Sequence, residues 1–472
     1  MNQQEPRSLG DPKRGAGELG FWTCVALVVG NMIGSGIFLL PASLAPYGGI
    51  SIVGWIISAG GSLLLAQVFC SLSRRAPMAG GPYAYTRQAF GDLAGFLMAW
   101  GYWISVLAAV AAIAVAFISY LTIFFPALSS RPALAALAAV ATIWLLTAVN
   151  AVGIRAGGAV QVATTVLKVL PLVALALLGW THFDPAHFIP FNPSGKSAFS
   201  AATATVSLTL WAFLGLESAT IPAGNVSDPA RTIPRATFLG TLLTALLYIG
   251  TTVVVMGILS PASLSSSTAP FADAARVLAG GWAGYAVGIG AVISCFGALN
   301  GWILVQGQIP LALAADGLFP RVFARVSRNG TPVTGLVISS VLVTLLVAAN
   351  YTRSLVQLFT FSILLATLSC LVPYLFCSLA EWTLLRQESA AQSSGGEANH
   401  RMRGGGQDAG SKNAVGSSKR KTGPIFVAIL AFLYSFWAIA GSGQEAVYWG
   451  FLLLMAGVPV YVWVRHGRTH PE

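Results

Sequence analysis

Charged side chains are scarce in this sequence. Only 9% of its 472 residues are Asp, Glu, Lys or Arg, while 56% are hydrophobic. A soluble globular protein carries about 25% charged residues. The shortage excludes a soluble domain and indicates a polytopic membrane protein, with most of its side chains in apolar segments.

Motifs of common enzyme sites are also missing. The sequence has no cysteine–histidine spacing of a zinc site, no phosphate-binding loop and no nucleophile elbow, so we expect no enzyme, no metal and no cofactor. The five cysteines all fall inside apolar segments, at Cys24, Cys70, Cys295, Cys370 and Cys377. Their placement argues against a disulfide framework.

Twelve apolar segments have the length of membrane-spanning helices. They predict an all-α polytopic membrane protein with twelve transmembrane helices. The segments lie at residues 21–44, 50–72, 93–124, 132–149, 158–180, 199–221, 237–259, 282–305, 333–349, 355–379, 424–440 and 446–463.

The basic residues are distributed unevenly between the two sides of these segments. With the N-terminus inside, 21 of the 26 Lys and Arg residues fall in inner segments, four fall in outer loops, and Lys168 lies within a segment. Basic residues accumulate on the cytoplasmic side of membrane proteins. We therefore expect both termini in the cytoplasm and contact with membrane lipid, and the net charge of +11 requires no nucleic acid partner.

The first apolar segment contains an interruption at Gly34-Ser35-Gly36. Glycine disfavours a continuous helix, and unpaired backbone groups at membrane depth occur only where they line a cavity. The amides at the start of a second half-helix would suit a carboxylate, and carbonyls around 31–33 would suit an ammonium. The alternative is a glycine contact face where two helices cross.

The sixth segment repeats this anomaly, with Gly215 and Glu217 in its middle. Two interrupted helices five apart predict a five-plus-five inverted repeat with broken helices 1 and 6, followed by two C-terminal helices. Glu217 is either a structural carboxylate that pairs with freed backbone amides or a residue that titrates during transport. Lys168 is either a fixed charge that joins helix 5 to the first break or a proton carrier.

The predicted organisation follows from these segments. Residues 1–19 form a cytoplasmic tail, 20–181 the first repeat, 198–381 the second repeat, 382–423 a disordered cytoplasmic loop, 424–464 the last two helices, and 465–472 a cytoplasmic tail.

Four motifs stand out in the loops and the first segment: Gly30-Asn-Met-Ile-Gly-Ser-Gly-Ile-Phe38, Gly80-Gly-Pro-Tyr-Ala-Tyr85, Val226-Ser-Asp-Pro-Ala-Arg-Thr-Ile-Pro-Arg235 and Ala315-Asp-Gly-Leu-Phe-Pro320. They resemble motifs of the amino acid–polyamine–organocation (APC) transporter superfamily, and within it the basic amino acid/polyamine antiporters, above all those that exchange arginine for agmatine.

The resemblance implies a substrate site and a mechanism. Ser35 and Gly36 would hold a substrate carboxylate, and the carbonyls of Met32, Trp211 and Leu214 its amino group. Trp211 would cover the substrate and Trp302 would shape the pocket. The remaining assignments are substrate contacts at Asn31, Ser105, Val106, Val110 and Ala366, gating tyrosines at Tyr83, Tyr102 and Tyr374, and proton coupling at Glu217 and Lys168.

Two positions depart from the arginine/agmatine pattern. Val110 replaces an asparagine that contacts the guanidinium group, and Ala366 replaces a serine. An apolar wall cannot satisfy five guanidinium donors. The resemblance implies a sodium-independent amino acid/amine antiporter of a bacterial inner membrane that works by alternating access. It also implies a homodimer. Proton-coupled symport of neutral amino acids and a transporter-like amino acid sensor stay open as alternatives.

Overall fold

The structure is a computed structural model that describes residues 20–75, 81–152, 158–217, 226–327, 331–350, 352–402 and 411–469. Side chains are described within these ranges except at 158–167, 389–402, 411–422 and 467–469. The motif residue Gly80 and the tail at 1–19 lie outside the described residues.

The described chain is organised as α-helices, so the predicted all-α class is confirmed for this part of the molecule. The first nine helices are α1 (Phe21–Met32), α2 (Gly36–Leu44), α3 (Ile50–Arg75), α4 (Pro82–Phe90), α5 (Asp92–Leu121), α6 (Ala127–Ser130), α7 (Pro132–Val152), α8 (Gly158–Leu178) and α9 (Ala198–Leu210). The other nine are α10 (Pro229–Ile258), α11 (Pro261–Ser266), α12 (Pro270–Ala279), α13 (Gly281–Ala315), α14 (Val333–Ala349), α15 (Leu355–Met402), α16 (Ser411–Gly441), α17 (Gln444–Met455) and α18 (Gly457–Thr469).

The membrane character of these helices follows from their length and composition. Among the described residues, nine stretches are long and apolar enough to cross a membrane. Three further predicted segments coincide with shorter apolar helices, at Lys168–His182, Ala198–Phe213 and Val333–Ala349. The chain is thus a polytopic membrane protein, and the described helices fall on the apolar segments of its sequence.

Helix α5 lies at the centre of the bundle. Almost every residue from Trp103 to Tyr120 is buried, and the helix packs against α13, α15, α7 and α14. Small side chains occupy much of this stretch, notably 108–109, 111–112, 114 and 116, all alanines. Such small side chains allow neighbouring backbones to approach closely. Close packing matters in a bilayer because the lipid tails are apolar, so hydrophobic burial does not drive the helices together.

All five cysteines are buried and none forms a disulfide. Helices α15 and α16 extend into the segment predicted as disordered, as far as Met402 and from Ser411, so the mobility of 382–423 stays a prediction.

Candidate functional site

The first helix break lies between α1 and α2. The amide of Ile33 donates to the Val29 carbonyl at 2.8 Å and closes α1. Ser35 precedes α2 without a side-chain hydrogen bond to its first turn, and its buried hydroxyl contacts no described partner. The first amides of an α-helix have no partner within that helix. The start of α2 therefore offers several unused donors to an anion at the centre of the protein.

The second break follows α9. A short 3₁₀ turn at Trp211–Phe213 ends the helix, and Gly215 adopts a φ of 99°, a left-handed conformation that favours glycine. The Leu214 amide donates to the Trp211 carbonyl at 3.2 Å. The described backbone leaves the helix at this point and continues to Glu217. Residues 218–225 lie outside the described residues, so the second half of the predicted broken helix stays a prediction.

The two breaks meet at Gly36 and Trp211. A Cβ atom on Gly36 would lie 2.9 Å from the indole Nε1 of Trp211 and 3.6 Å from the Ala212 Cα. Only a glycine leaves room for this ring. The indole N–H is buried and has no described acceptor, so a second unused donor lies beside the start of α2.

Glu217 is the anionic group of this region. Its buried carboxyl accepts hydrogen bonds from the Tyr102 hydroxyl at 2.9 Å and the Tyr374 hydroxyl at 2.5 Å. A further hydrogen bond comes from the backbone of Gly215. Two predicted gating tyrosines and the predicted proton-coupling carboxyl therefore form one cluster, which joins the second break to α5 and α15.

The carbonyl of Met32 is more heavily engaged than the resemblance implies. It accepts hydrogen bonds from the Gly34 amide at 2.8 Å and from the Tyr248 hydroxyl at 2.6 Å. A carbonyl oxygen has two lone pairs. An ammonium that binds to Met32 must therefore displace or share one of these donors. Tyr248 was not singled out from the sequence, where it is one tyrosine among twelve.

The wall between α5 and α15 is apolar. Val106, Val110 and Ala366 are fully buried. The Ser105 hydroxyl donates to the Ala366 carbonyl at 2.8 Å, so it joins the two helices and is not free for a ligand. Half-buried Trp302 lies one helical turn after Ala298, whose Cβ is 3.5 Å from a Cβ built on Gly34. Trp302 is thereby placed close to the first break.

Two further predicted site residues, Lys168 and Asn31, lie on α8 and α1. Lys168 is buried on α8, which packs against α1, α10 and α13. Asn31 is half-buried in the last turn of α1. A direct link from Lys168 to the first break stays a prediction.

Tyr83 lies apart from the other two gating tyrosines, in a polar cluster between α4 and α13. Its hydroxyl donates to Asp316 at 2.5 Å, and Arg87 donates to the Tyr83 oxygen at 3.2 Å and to Asp316 at 2.8 Å. Burial and the Asp316 carboxylate raise the pKa of Tyr83. The hydrogen bond from Arg87 to Asp92 raises the pKa of Arg87. The tyrosine is therefore neutral and the arginine charged at physiological pH.

Sequence reasoning missed several polar residues near the site. Arg87 and Asp316 were not assigned roles, although Asp316 belongs to a motif that carries the family resemblance. Glu381 was missed because the predicted segment ended at residue 379. Its buried carboxyl accepts a 2.5 Å hydrogen bond from Ser71 and lies 3.6 Å from the Arg75 Nε. These partners come from helices distant in sequence, so residue patterns give no direct sign of them.

An open cavity of about 780 Å³ lies beyond the breaks, on the side of the predicted outer loops. Lys196, Arg353 and Glu445 line it together with Ser43 and Thr360. The Ser43 and Thr360 hydroxyls are hydrogen-bonded at 2.8 Å and connect α2 to α15. Ser43 lies about two helical turns after Gly36 on α2, and Thr360 lies about two turns before Ala366 on α15.

Comparison with known proteins agrees with this architecture. The family model described as amino acid permease matches residues 19–464. A cadaverine/lysine antiporter of Escherichia coli strain K12 is 38% identical over 338 residues, which cover 70% of this chain and 74% of that protein. The putrescine transporter PotE of Haemophilus influenzae is 32% identical over 95% of this chain and 97% of its own length.

A second putrescine transporter, PotE of Escherichia coli strain K12, is 31% identical over 96% of this chain and 97% of its own length. The residues that the family model matches include the helices that carry both breaks. The matches confirm the resemblance based on the sequence motifs and identify a transporter, not an enzyme. The chain belongs to the amino acid permease family of the APC superfamily, among the basic amino acid/polyamine antiporters.

Proposed function

We propose that this protein is a sodium-independent antiporter that exchanges a basic amino acid for its decarboxylated amine by alternating access. The observation that carries the proposal is the meeting of the two breaks at Gly36 and Trp211. There the uncapped start of α2 and the buried Ser35 hydroxyl offer donors to a carboxylate. Glu217 supplies the only carboxylate described at these breaks, and it favours substrates with an ammonium group.

The apolar wall favours an aliphatic chain over a guanidinium group. Val106, Val110 and Ala366 offer no side-chain acceptor, and Ser105 already donates to Ala366. A four- or five-carbon methylene chain gains from contact with this wall. A terminal ammonium brings three donors where a guanidinium brings five, so it leaves fewer donors unpaired beside the wall. We therefore propose a lysine-like amino acid and a linear diamine as the exchanged pair, in place of arginine and agmatine. The names of the relatives, cadaverine/lysine and putrescine, support the same choice.

The remaining features of the proposal come from the sequence. Twelve transmembrane helices would form two inverted five-helix repeats and a C-terminal pair, with both termini in the cytoplasm of a bacterium. Lys168 would supply the positive charge that makes sodium unnecessary. A homodimer stays a prediction from the family resemblance.

The test is counterflow into proteoliposomes in sodium-free buffer. Labelled lysine or arginine is offered to vesicles preloaded with cadaverine, with agmatine, or with buffer alone. We expect lysine uptake into cadaverine-loaded vesicles only. Arginine uptake into agmatine-loaded vesicles at a matching rate would refute the argument from the wall.

Proton-coupled symport of neutral amino acids is a second candidate, because the same wall would also suit an uncharged side chain. Uptake of labelled leucine into empty vesicles, driven by an inward proton gradient, would favour it. Binding of lysine without its transport across the membrane would favour the third candidate, a transporter-like amino acid sensor.

A further inference from the structure

Thr367 on α15 has a fully buried hydroxyl without a described hydrogen-bond partner. A helix threonine commonly donates to the carbonyl four residues earlier, as Thr360 and Thr383 do on the same helix. The Thr367 hydroxyl is not bonded to its own helix in this way. Buried polar groups are rarely left unpaired, and a valine would fill the same volume without a hydroxyl. The threonine therefore indicates a state of the protein in which this hydroxyl is paired.

The direction of the Thr367 side chain follows from its neighbours on α15. Thr360, Thr367 and Tyr374 are each seven residues apart, so at about 100° per residue they fall within roughly 40° of the helix circumference. Thr360 is hydrogen-bonded to Ser43 on α2 at 2.8 Å, and Tyr374 donates to Glu217. Helix α15 also packs against α2 and against the 3₁₀ turn at the second break. Thr367 lies between these contacts, on the face of α15 that is turned toward the two breaks.

The depth of Thr367 follows from the hydrogen bond between Ser43 and Thr360. Helix α2 runs from Gly36 toward the cavity on the predicted outer side, whereas α15 runs from that cavity toward Glu217, so the two helices are antiparallel. Gly36 lies seven residues before Ser43, about 10.5 Å along α2. Thr367 lies seven residues after Thr360, the same distance along α15. Each interval is close to two whole turns, so Thr367 faces Gly36 at the start of α2.

Two other buried hydroxyls of α15 have no described partner, but they do not share this position. They belong to Ser362 and Ser369, which lie about 140° and 160° around the helix from Thr367. Ser369 lines a small cavity together with Gly101 of α5. These two serines therefore face away from the start of α2.

We propose that Thr367 is a further substrate-binding residue, whose hydroxyl donates a hydrogen bond to the carboxylate of the transported amino acid. The unused donors at the start of α2 are its first amides, the Trp211 indole N–H and the buried hydroxyls of Ser35 and Thr367. Surroundings made of donors bind a carboxylate and disfavour an ammonium. The inference rests on the proposed exchange of an amino acid for its amine.

The two exchanged substrates differ in their use of this hydroxyl. The decarboxylated amine has no carboxylate to accept a hydrogen bond from Thr367, so the residue adds to the affinity for the amino acid alone. A hydrogen bond to a charged group changes a dissociation constant by about tenfold or more. Thr367 thereby sets how strongly the site prefers the amino acid to the amine derived from it.

The test is binding of labelled substrates to the purified full-length protein in lipid nanodiscs. Each amino acid is compared with its own amine, in the pairs lysine and cadaverine, arginine and agmatine, and leucine and 3-methylbutylamine. In Thr367→Val we expect the dissociation constant of the amino acid to rise about tenfold, while that of its amine stays within about twofold of the unmodified value. Thr367→Ser keeps the hydroxyl and should retain both affinities.

The matched control is Ser369→Ala, which removes a buried hydroxyl without a described partner from the opposite side of α15. It should leave both affinities unchanged, whereas damage to the fold would weaken amino acid and amine together. An unchanged amino acid affinity in Thr367→Val, or an equal loss for the amine, would overturn the proposal.

The choice of pairs tests the proposed function separately. If the unmodified protein binds arginine and agmatine but not lysine and cadaverine, the lysine-like substrate is refuted, and the comparison in Thr367→Val still decides the role of Thr367. If it binds none of the three amino acids, both proposals are overturned.

Discussion

Replacement of Gly36 by alanine should impair exchange far more than the same replacement at Gly34. The added methyl at Gly36 would lie 2.9 Å from Trp211 Nε1 and 3.1 Å from its Cδ1, whereas at Gly34 the nearest atom is the Ala298 Cβ at 3.5 Å. Overpacking of this kind costs about 1–3 kcal/mol. If the Trp211 indole moves to relieve this clash and the same cost appears in substrate binding, affinity should fall between about fivefold and 150-fold.

The backbone should tolerate both changes, because neither Gly34 nor Gly36 adopts the left-handed conformation that favours glycine. The assay is the concentration dependence of lysine/cadaverine counterflow for the two variants, with the thermal unfolding midpoint as a measure of folding. We expect unchanged midpoints and a loss of apparent affinity confined to Gly36→Ala. Equal losses in the two variants, or normal affinity in Gly36→Ala, would refute the contact between the breaks as the substrate site.

Four further predictions test individual residues. Tyr374→Phe removes a hydrogen bond from the buried Glu217 carboxyl and should lower the free energy of unfolding by about 1–3 kcal/mol, measured by thermal denaturation in detergent. Because the pKa of Tyr83 is raised in the fold, its contribution to stability is complete below about pH 10 and is lost at higher pH; Tyr83→Phe should therefore weaken the fall in unfolding midpoint between about pH 10 and 11. Lys168→Ala should abolish or severely slow counterflow without sodium, and a wild-type rate would contradict its role. Val110→Asn adds an amide acceptor to the apolar wall and should raise arginine uptake relative to lysine uptake about tenfold in a competition assay.

The sequence predicted the breaks well because their cause is local. Gly34, Gly36 and Gly215 disfavour a continuous helix, and they lie in segments that are otherwise apolar throughout. In the structure α1 ends at Met32 and α2 begins at Gly36, while α9 ends at Leu210, shortly before Gly215. The contact of Trp211 with Gly36 could not be predicted from spacing, since it joins residues 175 positions apart in the sequence.

The partners within the polar clusters could not be predicted from the sequence. The family resemblance implied roles for Glu217, Tyr102 and Tyr374, but it did not predict that both tyrosines donate hydrogen bonds to the Glu217 carboxyl. Arg87 and Asp316 looked like ordinary charges at the ends of apolar segments, although they meet across more than 200 residues. Segment boundaries set by hydropathy alone excluded Glu381, because a buried carboxyl lowers the hydropathy of the turn that contains it.

The burial of every cysteine gives this protein a practical advantage for spectroscopy. None of the five thiols is at the surface and none is committed to a disulfide. A single cysteine introduced into a predicted outer loop, for example at Ser194, would therefore be the most accessible thiol for a maleimide dye. Pairs of such dyes could report distances between loops on individual molecules during turnover, without a cysteine-free background.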